Sequence, residues 1–219
     1  MAEAVQKDQE QVQEQKKHSP LSLLKDLLDI VESVFISIFI VMLLFGFVFR
    51  PVTVDGTSML PTLCDLDNLL MVSLFYEPEQ GDIVIIDGDY ATLFADNTQT
   101  AVKETAGSDM LLIKRVIATE GQTLDINFTT GQVTVDGVAL DEPYIAAKTT
   151  RNDGAFTYPM TVPEGYCFVM GDNRNGSMDS RNPSVGLISE DQVMGRAVVR
   201  YDREDELCTQ WLDRFAILN

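Results

Sequence analysis

A mainly β domain carried on one membrane-spanning helix is the fold class this sequence predicts. Three observations predict it. A single long apolar run lies between Glu32 and Arg50, short Val/Ile/Leu-rich segments punctuated by Gly-containing turns follow it, and no helical stretches alternate with those segments. The length of 219 residues suits one folded domain with additions rather than two full domains. Apolar and charged fractions of 45% and 23% lie near globular averages, which excludes wholesale disorder and fibrous repeats.

Charge narrows the function classes. The chain carries 16 Lys+Arg against 34 Asp+Glu, a net charge of −18. Twelve of those basic residues and 27 of the acids fall in residues 50–219. So acidic a domain repels phosphate backbones, and nucleic-acid binding is not expected. The three cysteines, Cys64, Cys167 and Cys208, are too widely spaced for a zinc set or a disulfide framework, and whether Cys167 and Cys208 pair stays open.

The elements follow in order. Residues 1–18, rich in Gln, Glu and Lys without apolar periodicity, read as a disordered cytoplasmic tail. Residues 19–49 read as a juxtamembrane and transmembrane helix: Ser19 suits an N-cap, Pro20 the first helical position, and Leu21, Leu24, Leu28 and Val31 recur at helical spacing. The seventeen uncharged residues from Ser33 to Phe49, extended by Ile30 and Val31, just span a bilayer core of about 30 Å. No small-residue cleavage site follows them, so the helix is expected to stay as an anchor. Lys16, Lys17 and Lys25 precede it and only Arg50 closely follows, which places the N-terminus in the cytoplasm and residues 50–219 outside.

Within 50–219 the expected strands are Val52–Val54, Leu69–Phe75, Asp82–Ile86, Leu111–Ile117, Thr123–Ile126, Gln132–Val135, Gly165–Met170 and Arg196–Tyr201. Thr123 to Leu140 reads as a hairpin. Together they predict an antiparallel sheet or partial barrel. Asp87–Asp109, polar and acidic, reads as an exposed loop. Leu207, Trp211, Phe215 and Leu218 keep helical spacing and predict a short amphipathic helix. A monomer is the expected state.

The chemistry is bounded by what is missing. The only histidine is His18, so Ser-His-Asp and Cys-His catalysis are unavailable to residues 50–219. The Asn-rich run after Gly171 fails the calcium-loop spacing, so no metal and no cofactor are expected. Hydroxyl and amine chemistry remain. Ser58 follows a strand and a Gly56 turn, where its oxygen would be exposed beside free backbone N–H groups; such a serine equally suits a turn or a helix cap. Lys114 lies inside the apolar strand Leu111–Ile117. Strand alternation sends Lys114 and Arg115 to opposite faces, so one of them points to the core or a cleft. A buried amine sheds its proton and becomes a base; a lysine on an edge strand facing water is the alternative. Gly171–Arg181 packs four charged residues into eleven positions, which suits either a tightly bonded loop or a solvated turn. Ser177 there is placed to orient an amine, and Asp179 with Arg181 to form an ion pair.

Taken together, these segments resemble the motifs of the bacterial type I signal peptidases, a family of Ser/Lys-dyad serine proteases, and the compact single-span Gram-positive-type members in particular. Gly56-Thr-Ser58-Met-Leu-Pro-Thr-Leu63 is similar to the nucleophile motif, Gly81-Asp-Ile-Val84 to a structural motif, Ile113-Lys114-Arg115-Val116 to the general-base motif, and Met170 to Arg181 to the last. The resemblance covers about residues 20–201. It implies Ser58 as nucleophile and Lys114 as general base, Ser177 hydrogen-bonded to the Lys114 amine, and Asp179 and Arg181 supporting the loop with Asp172 as a structural partner. It implies Val54, Met59, Leu63, Leu112 and Ile113 as the lining of shallow apolar pockets for small residues at −1 and −3. The implied substrates are signal-peptide-bearing preproteins emerging from the secretion machinery, cleaved at the bilayer surface. Two departures stand out. Gly56 occupies a position where some relatives carry an oxyanion-binding hydroxyl, and Leu66 stands where relatives usually carry Gly.

Overall fold

The computed structural model describes residues 20–74, 76–201 and 215–218. The chain divides into two compact units at Gly46/Phe47.

The first unit is helix α1 (Pro20–Leu43), continued by a π-helical turn over Leu44–Val48. Pro20 is its first residue, as expected from a ring that pre-sets the helical backbone angle and lacks an N–H to satisfy. Its Leu, Ile, Phe and Val side chains stand exposed around the whole circumference, an arrangement that fits a lipid surround. Leu23–Val48, 26 residues, is long and apolar enough to cross a membrane; at 1.5 Å per residue it exceeds a hydrocarbon core of about 30 Å. The expected tail, 1–18, lies outside the described residues.

The second unit is mainly β, as predicted. Its largest sheet has eight strands. They are β1 (Phe49–Thr53), β2 (Asn68–Val72), β3 (Ile83–Asp87), β6 (Leu111–Ala118), β11 (Tyr166–Met170), β12 (Ile188–Ser189), β13 (Val193–Tyr201) and β14 (Phe215–Ile217). The order is β1-β2-β13-β3-β6-β11-β12, every pair antiparallel. A second sheet, ordered β10-β7-β8-β9, contains β7 (Thr123–Asn127), β8 (Gln132–Val135), β9 (Val138–Ala139) and β10 (Met160–Thr161). The β7–β8 pair is the expected hairpin, with Asn127 opposite Gln132.

Ile83 and Ile85, with Ile113 of β6, pack with Val54, Met59, Leu63, Leu69 and Met71. Val84 and Ile86, with Leu112 and Val116, pack on the other face with Val169, Val185 and Ile188. Both faces of the central strands are thus covered, which is why β3 reads Ile-Val-Ile-Ile instead of alternating with polar residues.

Two expectations are corrected. Asp87–Asp109 is not an open loop: β4 (Tyr90–Phe94) and β5 (Val102–Ala106) form a hairpin within it. Its sequence hides the strands because its inward-packing residues do not alternate with polar ones: Ala91 and Thr92 are buried side by side, and Leu93, Phe94 and Val102 pack on the core among polar and charged neighbours. Phe215–Ile217 is a strand paired with Val199–Tyr201, not part of a helix, and Leu218 is buried against the cluster of Met59 and Leu63. The remainder of that predicted helix, including Leu207 and Trp211, lies outside the described residues. Pairing with an open edge of β13 overrides helical spacing.

The turn before β2 carries a strained residue. Leu66 adopts φ +66°, held by its N–H to Val54 O and by Val54 N–H to Asp67 O, both 2.9 Å. A left-handed conformation costs a β-carbon-bearing residue about 1–2 kcal/mol, whereas glycine gives back about 0.5–1 kcal/mol in entropy. Leu66→Gly is therefore expected to raise stability by about 1 kcal/mol, read from chemical denaturation, and to leave the neighbouring strand pairing intact.

Candidate active site

The segment between β1 and β2 presents Ser58. One helix-like turn, closed by Leu63 N–H to Met59 O at 3.0 Å, drives Met59 and Leu63 into the core and leaves Ser58 half-buried at its start. The Ser58 backbone N–H donates to no group among the described residues. Gly56 N–H is already given to Asp65 Oδ1 at 2.7 Å.

Lys114 lies on the neighbouring strand β6, its Nζ 2.9 Å from Ser58 Oγ and donating to Ile113 O at 2.9 Å. It is only 3% exposed. Burial drives its pKa down to about 8, against a smaller opposing pull from the carboxylates of Asp179 and Asp172. An amine with that pKa is unprotonated in a useful fraction of molecules near neutral pH, and its neighbour is a serine hydroxyl.

Arg115 is buried too, whereas alternation required only one of the pair to be. Its guanidinium makes a two-pronged ion pair with Asp172, Nε–Oδ1 2.9 Å and Nη2–Oδ2 2.8 Å, and donates to Gly81 O. The face of Tyr144 covers it at 4.1 Å. Asp172 also accepts Thr62 Oγ1 at 2.5 Å, so one carboxylate ties the nucleophile segment to the strand carrying Lys114. A buried charge persists only when paired and fully bonded, and here both conditions hold.

The loop after β11 closes the site. Asp179 and Arg181, each fully buried, pair through Nε–Oδ1 at 2.8 Å and Nη2–Oδ2 at 2.7 Å. Asp179 also accepts Gly171 N–H at 3.0 Å. Gly171 runs so close to Ser177 and the Ser58 carbonyl that any β-carbon would collide with both. The expected Ser177–Lys114 hydrogen bond is not made. Ser177 Oγ is buried without a partner among the described residues, because the Lys114 amine folds back onto its own strand's carbonyl.

The expected pocket positions divide. Val54, Met59, Leu63 and Ile113 share one apolar cluster, with Ile113 at its margin, while Leu112 faces the other side of β6 and packs with Val84, Ile86 and Val116. Adjacent strand residues cannot line one pocket through their side chains. Sequence reasoning also missed several members. Arg174 is fully buried and binds Gly171 O, Thr149 Oγ1 and Glu142 Oε1. Its place inside the motif and its charge were visible, but Glu142, Tyr144 and Thr149 carry no local signal. Cys167 is a free buried thiol, so it does not pair with Cys208; Cys64, six residues after Ser58, is in a disulfide. No group of three or more His, Cys, Asp or Glu among the described residues could hold a metal ion.

Comparison with known proteins identifies relatives of this chain. A crystal structure of a signal peptidase I from Enterococcus faecalis V583 aligns with 55% of this chain and 97% of its own at a TM-score of 0.38 and 24% identity. Signal peptidase I S of Bacillus subtilis (strain 168) is 33% identical over 190 residues, 82% of this chain and 91% of that protein. A signal peptidase I of Bacillus licheniformis is 36% identical over 175 residues, covering 75% and 83% of the two chains. The family model described as signal peptidase, peptidase S26, matches residues 27–202. The chain belongs to this signal peptidase family and is a serine endopeptidase that removes signal peptides.

Proposed function

We propose that the enzyme works by a Ser58/Lys114 dyad and is anchored by α1, with its N-terminus in the cytoplasm and its β unit outside. The observation that carries the reading is the 2.9 Å approach of a buried, pKa-lowered amine to a serine oxygen. Neutral Lys114 takes the Ser58 proton as Oγ attacks the scissile carbonyl. The resulting oxyanion accepts from the Ser58 N–H. The ammonium then gives its proton to the leaving amine, which departs as the N-terminus of the mature protein. Lys114 next deprotonates a water that attacks the acyl-enzyme and frees the signal peptide as a carboxylic acid. Ser177 takes its part at the ammonium stage: a buried hydroxyl with no partner is an acceptor for the charge that Lys114 acquires. Asp179, Arg181 and Asp172 hold the loop and the strand in register.

Substrate fits as an added strand. Among the described residues, β1 ends the main sheet beside β2, and β11 joins β6 from Arg115 onward, which leaves Leu111–Ile113 without a strand partner on that side. An extended peptide between these edges meets an apolar floor containing Val54 and Ile113, close enough to admit only small residues at −1 and −3. The substrates are preproteins emerging from the secretion machinery at the bilayer, and the enzyme acts as a monomer without a cofactor.

The test is cleavage of a preprotein bearing an Ala-x-Ala site by purified enzyme, with the product N-terminus sequenced. Cleavage after the −1 alanine is expected for the parent and none for Ser58→Ala. In the parent, kcat/KM should climb about tenfold per pH unit and level off near pH 8, as Lys114 loses its proton. Equal cleavage by Ser58→Ala, or a rate flat from pH 6 to 9, would overturn the dyad.

A further inference from the structure

We propose that Asn173 is a positioning residue that aims the oxyanion-binding peptide of this enzyme. The inference rests on the reading of Ser58 as nucleophile. Asn173 grips the main chain on both sides of that serine. Its backbone N–H donates to Ser58 O at 3.0 Å, and its side-chain Nδ2 donates to Thr57 O at 3.2 Å, where it joins the Leu60 N–H, also at 3.2 Å, as the second donor to that oxygen. Thr57 O and Ser58 N–H are opposite ends of one rigid peptide plane. Whatever fixes that oxygen fixes the direction in which the Ser58 N–H points. A bond accepted at the carbonyl also polarises the amide and strengthens the N–H as a donor.

The requirement is sharper here because donors are few. Residue 56 is Gly and brings no hydroxyl, and its N–H is already bonded to Asp65. The Ser58 N–H has no competing acceptor among the described residues. A single donor must therefore be well aimed, and aim is what preorganised oxyanion binding depends on. Gly176 completes the device. A β-carbon there would lie 2.6 Å from Asn173 Nδ2 and 3.0 Å from its Cγ and Oδ1. The bare backbone of Gly176 is thus the shelf on which the Asn173 amide lies, and it explains a glycine at a position whose φ is ordinary.

The experiment compares the full-length parent, Asn173→Ala, Asn173→Asp, Gly176→Ala and Ser58→Ala in detergent or lipid. Steady-state cleavage of the Ala-x-Ala preprotein is measured across pH. Inhibition is measured with a peptide aldehyde ending in alanine, whose carbonyl accepts the serine oxygen and becomes tetrahedral, and with the matching peptide alcohol, which cannot. Loss of the Asn173 donor is expected to lower kcat about tenfold with KM within about twofold, the size of one hydrogen bond realised in the transition state. Aldehyde affinity should fall by the same factor while alcohol affinity and the pH midpoint stay put. Asn173→Asp should be no better than Asn173→Ala, since a carboxylate cannot donate to Thr57 O. Gly176→Ala should show the same signature while keeping Asn173. Unchanged kcat in Asn173→Ala and Gly176→Ala, a rise in KM alone, or a moved pH midpoint would overturn the inference. Equal losses for aldehyde and alcohol would also overturn it, making Asn173 a substrate-binding residue. Should Ser58→Ala cleave like the parent, the dyad itself fails and this inference with it; a dead Ser58→Ala beside a fully active Asn173→Ala sinks the inference alone.

Discussion

Lys114→Met is expected to abolish cleavage and, at the same time, to stabilise the domain by about 2–3 kcal/mol at pH 7. The amine's pKa falls from 10.5 to about 8 on folding, and about 2.5 units at 1.36 kcal/mol each is about 3 kcal/mol. The sign follows from which form burial tolerates. Below pH 8 the folded protein either carries a proton in a dry site or gives one up that the unfolded chain would keep, so the penalty is present in full. It fades as pH rises from about 8 to 10.5, where the unfolded chain also loses its proton. Methionine occupies similar space without a proton to hold, and the lost bonds to Ile113 O and Ser58 Oγ return about 1 kcal/mol of the gain. Denaturation of parent and variant at pH 7 and pH 10.5 checks this: the difference should be large at the first and shrink at the second. A variant that is less stable than the parent at pH 7 would mean that the amine is not desolvated. Loss of function with gain of stability is the mark of a group held in a strained ionisation state for chemistry.

The second large effect concerns the loop. Asp179→Ala is expected to cost about 3–5 kcal/mol, because it leaves the Arg181 guanidinium buried without its counter-charge. It also releases the Gly171 N–H, and with it the strand end that lies against Ser58 and Ser177. Asp179→Asn separates charge from shape. The Asp179 carboxylate pulls the Lys114 pKa upward, so its removal should shift the acid limb of the rate profile below pH 8, with activity normalised to folded enzyme. Stability within about 1 kcal/mol of the parent for Asp179→Ala would show that this pair does not hold the loop. A pH midpoint unmoved in Asp179→Asn would show that its field does not reach the amine.

The long apolar helix, the hairpin at Thr123–Leu140 and eight of the strands were legible locally, since each is written in a run of apolar residues or in a turn between two such runs. Ser58 and Lys114 were legible only as candidates, a serine after a strand-end turn and a lysine inside an apolar strand, each with a plain structural alternative; the resemblance to the signal peptidase motifs is what implied them as a pair. The β4–β5 hairpin was not, because its buried residues include a threonine and fall next to one another, so no apolar alternation is there to read. The strand at Phe215–Ile217 was hidden for a different reason. Three residues have no strong preference of their own, and a free edge of β13 decides what they become.

What the sequence alone determined about this protein is a periodicity and a set of chemical groups: where a long apolar helix and strands lie, which hydroxyl and amine groups are on offer, and an acidity that repels phosphate backbones. Only the tertiary structure decided how those groups are arranged. It brought Lys114 to 2.9 Å from Ser58 across 56 residues of chain. It buried Arg115 as well as Lys114, by supplying Asp172 and Tyr144 from distant segments. It turned the Lys114 amine onto Ile113 O in place of Ser177 and set the Asn173 amide against Thr57. The reason is physical. Propensity and apolar period act between residues a few positions apart, whereas the pKa of an amine and the aim of an N–H depend on partners that chain folding alone places within hydrogen-bond reach.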